Sequence, residues 1–264
     1  MKVFISSDIE GTNGIASWAE TDKNAYFNKR MTKEVAAVCE GINDFDSNSV
    51  IFVKDAHSGG ANIDHELLPE NVMLNRAFSG HPLSMMNMID ESFDASMVTG
   101  YHSPATSAGN PLAHTMSGKY NRILLNGKAC SEFMLSYYSS LHFGVPMVMA
   151  TGDAVLMQII KEIDPDILTV ETVAGLGASV TSVHPAKSRE LLRQTAKKAV
   201  ENADKLKSKC SAKIPNNFDV EIIFRKHVDA FRASYFPGLS QKDAHTISFA
   251  TKDFMEVLRL LLFV

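Results

Sequence analysis

At 264 residues the chain is long enough for one large or two smaller domains with a sizeable buried core. Apolar side chains make up 45% and charged ones 21%, the balance of a soluble globular protein rather than a disordered or fibrous one. The net charge of −4 argues against a broad nucleic-acid surface, and no apolar run reaches the length of a membrane span, 257–264 being far too short. The first residues enter a strand pattern without the basic, apolar and small-residue zones of a signal peptide. Cys39, Cys130 and Cys210 form neither a metal spacing nor a disulfide framework, so reduced thiols in a cytoplasmic protein are expected, with no membrane or nucleic-acid partner.

In chain order, Val3, Phe4 and Ile5 are strand formers in an apolar run, which suits a buried strand. The run ends in Asp8, Glu10 and the breaker Gly11. Residues i and i+2 of a strand point the same way, so the two carboxylates can aim at one point beyond its carboxyl end, where open α/β sheets bind ligands. Two anions that close repel unless a cation or proton lies between them. Residues 12–30, which follow Gly11 and hold Gly14, three asparagines and the single tryptophan Trp18, read as a loop with one helical turn packed over the strand end. Thr32 can cap a helix starting near Lys33, with Val35, Val38, Cys39 and Ile42 on its buried face.

A second strand over 49–54 runs into Asp55-Ala56-His57-Ser58-Gly59-Gly60. Short strands are expected at 72–74 and 95–99, with a short Met-lined helix at 82–89 between them. The second of those strands delivers His102. A loop over 105–113 leads to His114. The strand at 122–125 is followed by Asn126-Gly127, a strong hairpin signal, and then by a helix from near Cys130 carrying Glu132 in its first turn. A strand at 145–150 and a helix to about Lys161 flank Thr151-Gly152-Asp153.

This alternation predicts an α/β part with a largely parallel sheet and flanking helices. The later part of the chain differs: a strand at 167–173, a long Lys-rich helix over 185–208, half-exposed strands at 218–224 and 245–250, and a closing helix from Asp253. The expected organisation is an α/β catalytic part over 1–170 and a smaller α+β part over 171–264. No internal repeat or linker marks the boundary, and any split falls near 165–185.

Asp8, Glu10, His57 and His102 sit at or just beyond strand ends, and Glu132 at a helix start. A parallel sheet gives those strand ends one rim. Two histidines and three carboxylates form a mixed N/O donor set that suits zinc and also manganese or iron. Five ligands exceed one tetrahedral zinc and fit two ions with Asp8 as bridge, a recurrent hydrolytic arrangement with metals about 3.5–4 Å apart. Each residue alone has a plainer reading: a polar strand-end histidine, a solvated loop start, a glutamate favoured by a helix dipole. His65, His81, His142, His184, His227 and His245 lack a comparable context, and the Lys-rich helix reads as a solvated face.

The stretches S-S-D-I-E-G-T-N-G-I (6–15), K-D-A-H-S (54–58), T-G-Y-H (99–102), A-H-T-M-S-G (113–118), L-N-G-K-A-C-S-E (125–132), T-G-D (151–153) and A-T-K-D-F-M-E (250–256) span nearly the whole chain. In them the sequence resembles the zinc-dependent D-aminopeptidases of bacterial dipeptide-transport operons. The resemblance implies two zinc ions per chain, one held by Asp8, Glu10 and His57 and the other by Asp8, His102 and Glu132. It implies His114 as catalytic nucleophile or base, short D-amino-acid peptides as substrates, and a homodecamer of two five-membered rings. Ile9 and Ser131 stand where the family pattern has Met and Gly.

A second reading is a haloacid-dehalogenase-type magnesium phosphatase using Asp8. Asp8-Ile9-Glu10-Gly11-Thr12 is one substitution from the D-x-D-G-T motif, and Gly152-Asp153 echoes that family's late acidic motif. It leaves the three histidines without a task. A third reading, a metal- or peptide-binding protein without turnover, ranks below both because all six residues are present.

Overall fold

A computed structural model describes residues 1–21 and 24–264. Twelve strands occur among them: β1 (Lys2–Ser7), β2 (Val50–Asp55), β3 (Val72–Asn75), β4 (Ala95–Tyr101), β5 (Tyr120–Leu125), β6 (Lys128–Ala129), β7 (Met147–Asp153), β8 (Leu168–Leu176), β9 (Ser179–Thr181), β10 (Phe218–Phe224), β11 (Ser240–Gln241) and β12 (Thr246–Thr251). The helices are α1 (Trp18–Thr21), α2 (Ala25–Asn43), α3 (Glu132–His142), α4 (Ala154–Ile163), α5 (Pro185–Glu201), α6 (Ala203–Lys207), α7 (His227–Ala233) and α8 (Phe254–Phe263). No helix is long and apolar enough to cross a membrane among the described residues.

The first sheet has the order β3-β2-β1-β4-β7-β8-β9. Its first six strands are parallel, and β9 folds back antiparallel on β8. The α/β reading therefore holds. From β1 the chain builds outward to β2 and β3 on one side and to β4 and β7 on the other. The gap between the carboxyl ends of β1 and β4 is thus the switch point at which such sheets bind ligands.

Strand β1 is buried on both faces, which explains its unbroken apolar run. Val3 and Ile5 enter the core under α2 and α5, while Phe4 faces the opposite core with Phe133, Tyr137 and Leu260. That second core joins the parallel sheet to an antiparallel one, ordered β11-β12-β10-β5-β6. In β10 the alternation of F-D-V-E-I-I-F buries Phe218, Val220, Ile222 and Phe224. The β5–β6 hairpin turns on Asn126 (φ 51°) and Gly127 (φ 76°), both in the left-handed region that a two-residue hairpin requires. The antiparallel sheet draws on both halves of the chain, because β5 pairs with β10.

Several local expectations change. The helix expected from Lys33 starts at Ala25 and is capped by Asn24, whose side chain accepts from the amides of Tyr26 and Phe27. Thr32 lies inside it and donates its hydroxyl to the Asn28 carbonyl four residues back, a bond open to threonine within a helix as well as at its cap. Of residues 12–30, Trp18–Thr21 form the expected single turn α1, residues 25–30 belong to α2 instead of a loop, and Asp22 and Lys23 lie outside the described residues. The helix expected at 82–89 is a single 3-10 turn at Ser84–Met86, with Met85 and Met86 buried but Met88 exposed. The helix expected over 185–208 breaks at Asn202 into α5 and α6. Strands β9 and β11 and helix α7 carry no strong pattern in the sequence.

Candidate metal centre

Strand β1 ends at Ser7, so Asp8 and Glu10 lie in the turn beyond it rather than on the strand. Their convergence comes from that turn. The Gly11 amide donates to the Gly100 carbonyl, and the Asp8 amide donates to the Thr99 carbonyl, each at 2.8 Å. A Cβ on Gly11 would stand 1.9 Å from the Tyr101 carbonyl oxygen, and one on Gly100 (φ +67°) would stand 2.2 Å from that of Asp8. Two glycines thus let the ends of β1 and β4 touch backbone to backbone, which sets the Asp8 carboxylate beside His102.

All six candidate residues meet at this rim. His57 Nδ1 lies 3.2 Å from Asp8 Oδ1 and 3.1 Å from Glu10 Oε2. His102 Nε2 lies 3.6 Å from Asp8 Oδ2 and 3.5 Å from Glu132 Oε2. Asp8 therefore turns one oxygen to each imidazole. His114 Nε2 lies 3.5 Å from Glu132 Oε1, and its ring stacks on that of His102. Asp8, Glu10, His57, His102 and Glu132 are buried, while His114 is partly open. Ligand atoms gather within 4.8 Å of one another in three overlapping groups: Asp8/Glu10/His57, Asp8/His102/Glu132 and Glu10/His102/His114.

Electrostatics favour a cation within the cluster. Three carboxylates share one buried pocket, and burial together with Glu10 raises the Asp8 carboxyl well above its usual range. Burial also works against charge on Glu10 and Glu132, but neighbouring imidazoles outweigh it and hold both below theirs. Burial likewise opposes charge on His57, yet hydrogen bonds to Asp8 and Glu10 push it up to about 10, and the carboxylates raise His102 in the same way. The carboxylates demand positive charge, and with the protein's own groups alone, protons on two histidines supply it. His102 Nε2 is also a buried nitrogen with no hydrogen-bond partner, aimed between two carboxylates. A divalent ion answers both features, and the mixed nitrogen and oxygen donors are the set that zinc takes.

A supporting shell orients the donors. His102 Nδ1 is 3.0 Å from the Ser103 carbonyl, which leaves Nε2 for the cluster. Ser103 in turn donates its amide and hydroxyl to Asp153 Oδ2, at 2.5 and 2.9 Å. Asp153 Oδ1 accepts from the Leu156 amide and caps α4. The acidic residue of T-G-D is thus spent on positioning, which removes the echo of a phosphatase motif. Asp55, fully buried, accepts from the amides of Asn62 and Ile63, and Asn62 Nδ2 reaches the His57 carbonyl at 2.9 Å. Asn110 Nδ2 donates to the Glu10 carbonyl. Sequence reasoning gives Asp55 no role and Asp153 only the phosphatase echo, although both end strands of the parallel sheet, the signal that singles out His57 and His102.

Four of the remaining histidines serve local structure. His81 and His184 accept neighbouring amides, and His65 and His245 meet backbone carbonyls.

A family model described as D-aminopeptidase, of the M55 peptidases, matches residues 1–263. The chain belongs to the D-aminopeptidase family. Its members are peptide hydrolases, so the chain is placed among enzymes. The D-aminopeptidase of Bacillus subtilis (strain 168) is 27% identical over 270 residues, covering 99% of this chain and 96% of that protein. The solved structure of the Zn-dependent D-aminopeptidase DppA from Bacillus subtilis, described as a self-compartmentalizing protease, superposes with a TM-score of 0.90 at 25% identity. It covers 99% of this chain and 96% of that one.

Proposed function

We propose that the chain is a zinc-dependent aminopeptidase that releases the N-terminal residue of short peptides, D-amino-acid peptides among them, at a two-zinc centre. The observation that carries this reading is Asp8, with one oxygen toward His57, which also meets Glu10, and the other toward His102, which also meets Glu132. A carboxylate between two donor groups is what a two-ion site requires of its bridge. Asp8, Glu10 and His57 would hold one ion, and Asp8, His102 and Glu132 the other. Bound there, the ions supply Lewis-acid polarisation of the scissile carbonyl and stabilise the charge that develops on its oxygen.

The chain's own residues do the rest. His114 Nδ1 is held at 3.0 Å by the Leu112 carbonyl, so the proton stays on that nitrogen and Nε2 presents its lone pair to the cavity. That lone pair takes a proton from the attacking water or attacks the carbonyl carbon itself, and the resulting imidazolium can protonate the leaving amine. Glu132 faces Nε2 and stabilises the imidazolium. The His114 ring is steadied by the stacked ring of His102 and by the Trp18 indole packed against it.

A closed homo-oligomer belongs to the same proposal, a homodecamer of this 29.0 kDa chain, in keeping with the self-compartmentalizing relative. Phe231, Tyr235 and Phe263, exposed on and beside α7 and on α8, are apolar surface that an assembly would cover. The three buried free thiols suit a reducing compartment such as the cytoplasm.

The test is metal content and peptide turnover of the purified protein. About two zinc ions per chain, largely lost in Asp8→Ala, with turnover of D-aminoacyl peptides, is the expected result. Magnesium alone, or zinc without hydrolysis of any D- or L-peptide, overturns the reading. Sedimentation of the same preparation as a monomer would remove the assembly.

A further inference from the structure

The cavity over the cluster has a volume of about 810 Å³, room for a short peptide, and its lining is divided. The floor is the charged cluster. Above it the walls mix apolar side chains, Trp18, Phe78, Met85 and Met116 chief among them, with the neutral hydroxyls of Thr21, Ser58 and Ser84. Among the described residues neither lysine nor arginine lines the cavity, and the carboxylates that do are Asp8, Glu10 and Glu132, all in the floor. A charged substrate side chain therefore finds no charged partner among the described residues of the walls. Trp18 is the most exposed large side chain among these, with 52% of its surface open. Its edge packs on the His114 ring, centroids 5.2 Å apart, and the other side of that ring lies on His102.

The exposure of Trp18 is built into the rim. Glu20 accepts from the amides of Ala16 and Ser17, and the Thr21 hydroxyl donates to the Trp18 carbonyl, which fixes the single turn α1. An indole held open to water, beside the group that meets the scissile bond, contacts something that arrives with the substrate. Phe78, partly exposed near His57, provides a second aromatic surface, its ring over the Lys54 ammonium at 4.2 Å.

We propose that Trp18 is a substrate-contact residue that takes an apolar side chain of the bound peptide and so selects peptides with aliphatic or aromatic side chains over charged ones. The inference rests on the aminopeptidase reading and adds a substrate class to it. Covering the open indole and leaving no charged group stranded both favour the apolar peptide.

The experiment compares leucyl-alanine with aspartyl-alanine, in D and L forms, on the zinc-loaded protein and on Trp18→Ala and Trp18→Phe. The wild type favours the leucyl peptide in kcat/KM by about tenfold or more, Trp18→Ala loses most of that ratio through KM, and Trp18→Phe keeps most of it. Zinc content stays at the wild-type level in both variants, which separates contact from damage to the centre. Trp18 is the single tryptophan, so its emission is a second readout. A hydrolysis-resistant leucyl-alanine analogue with a methylene-amine in place of the amide shifts the emission to shorter wavelength, and the aspartyl analogue does not. An unchanged ratio in Trp18→Ala, or no emission shift with the leucyl analogue, overturns the assignment. Absence of turnover on every peptide defeats the aminopeptidase reading instead, and the emission titration then decides alone whether Trp18 meets a peptide.

Discussion

The imidazole of His114 stacks on that of His102, with centroids 4.3 Å apart and planes 12° from parallel, yet the two rings are held differently. His102 is buried and its Nε2 points between Asp8 and Glu132, while His114 is one-fifth open to the cavity. The first is framed for ligation and the second for chemistry. His114→Ala is expected to keep its zinc and to lose about 10²–10⁴-fold in kcat, the range for a lost acid–base group. Metal analysis alongside steady-state kinetics checks this. Zinc lost together with activity would make His114 a ligand, as its place in the Glu10/His102/His114 group permits.

Asp153 never meets the cluster, but it holds Ser103 by two hydrogen bonds, and Ser103 holds His102. Replacing its Oδ2 by an amide nitrogen sets a donor against the Ser103 amide. In Asp153→Asn the His102 ring loses its fixed orientation, and zinc affinity falls about 10–100-fold, as is usual when a partner behind a ligand is removed. Competition with a chromogenic chelator measures it. Asp153 also caps α4, so the variant is compared with Leu156→Ala, which disturbs the helix and leaves the Ser103 bonds in place. Equal zinc loss in both would assign the effect to α4 instead.

The parts of this site that are legible in the sequence are those written in one short segment each. Strand β1 shows as an apolar run because both its faces are buried, and the residues beyond β1, β2 and β4 inherit their common location from the parallel order. The route by which Asp8 and Glu10 converge is not legible as strand alternation, because the strand has already ended. It depends on Gly11 meeting Gly100 and Tyr101, residues about 90 positions away, and no local pattern records such a contact. The pairing of β5 with β10 is equally non-local. The early start of α2 is hidden because Thr32 and Asn24 are both competent caps, and tertiary packing chooses between them.

That glycine contact can be tested directly. Gly11→Ala forces a methyl group to 1.9 Å from the Tyr101 carbonyl oxygen, so β1 and β4 must part. A loss of about 3 kcal/mol or more is expected, which lowers Tm by roughly 6–12 °C in a chain of this size. Gly59→Ala, with nothing within 4 Å of the added carbon, is the control and should shift stability by less than about 0.5 kcal/mol. Calorimetry of the two proteins decides, and a Gly11→Ala protein as stable as the control would remove the close approach from the account.

A second buried carboxylate, remote from the cluster, sets a pH dependence of stability. Glu34 on α2 faces α5, where the Ser188 hydroxyl donates to Oε1 at 3.1 Å. Burial pushes its carboxyl up to about 7, against the weaker pull of Ser188, the Asn13 backbone, Arg30 and Arg189. An acid raised on folding binds its proton more tightly in the folded chain. Its contribution is therefore fully present below the unfolded value near 4.5 and is lost as pH climbs to about 7. The loss amounts to about 3 kcal/mol at most. Glu34→Gln holds a neutral isostere there, so urea midpoints of the wild type should fall relative to the variant between pH 4.5 and 7 and run parallel to it above that window. Parallel midpoints throughout would show that the Glu34 carboxyl titrates alike in the folded and unfolded chain, which would overturn the effect assigned to its burial.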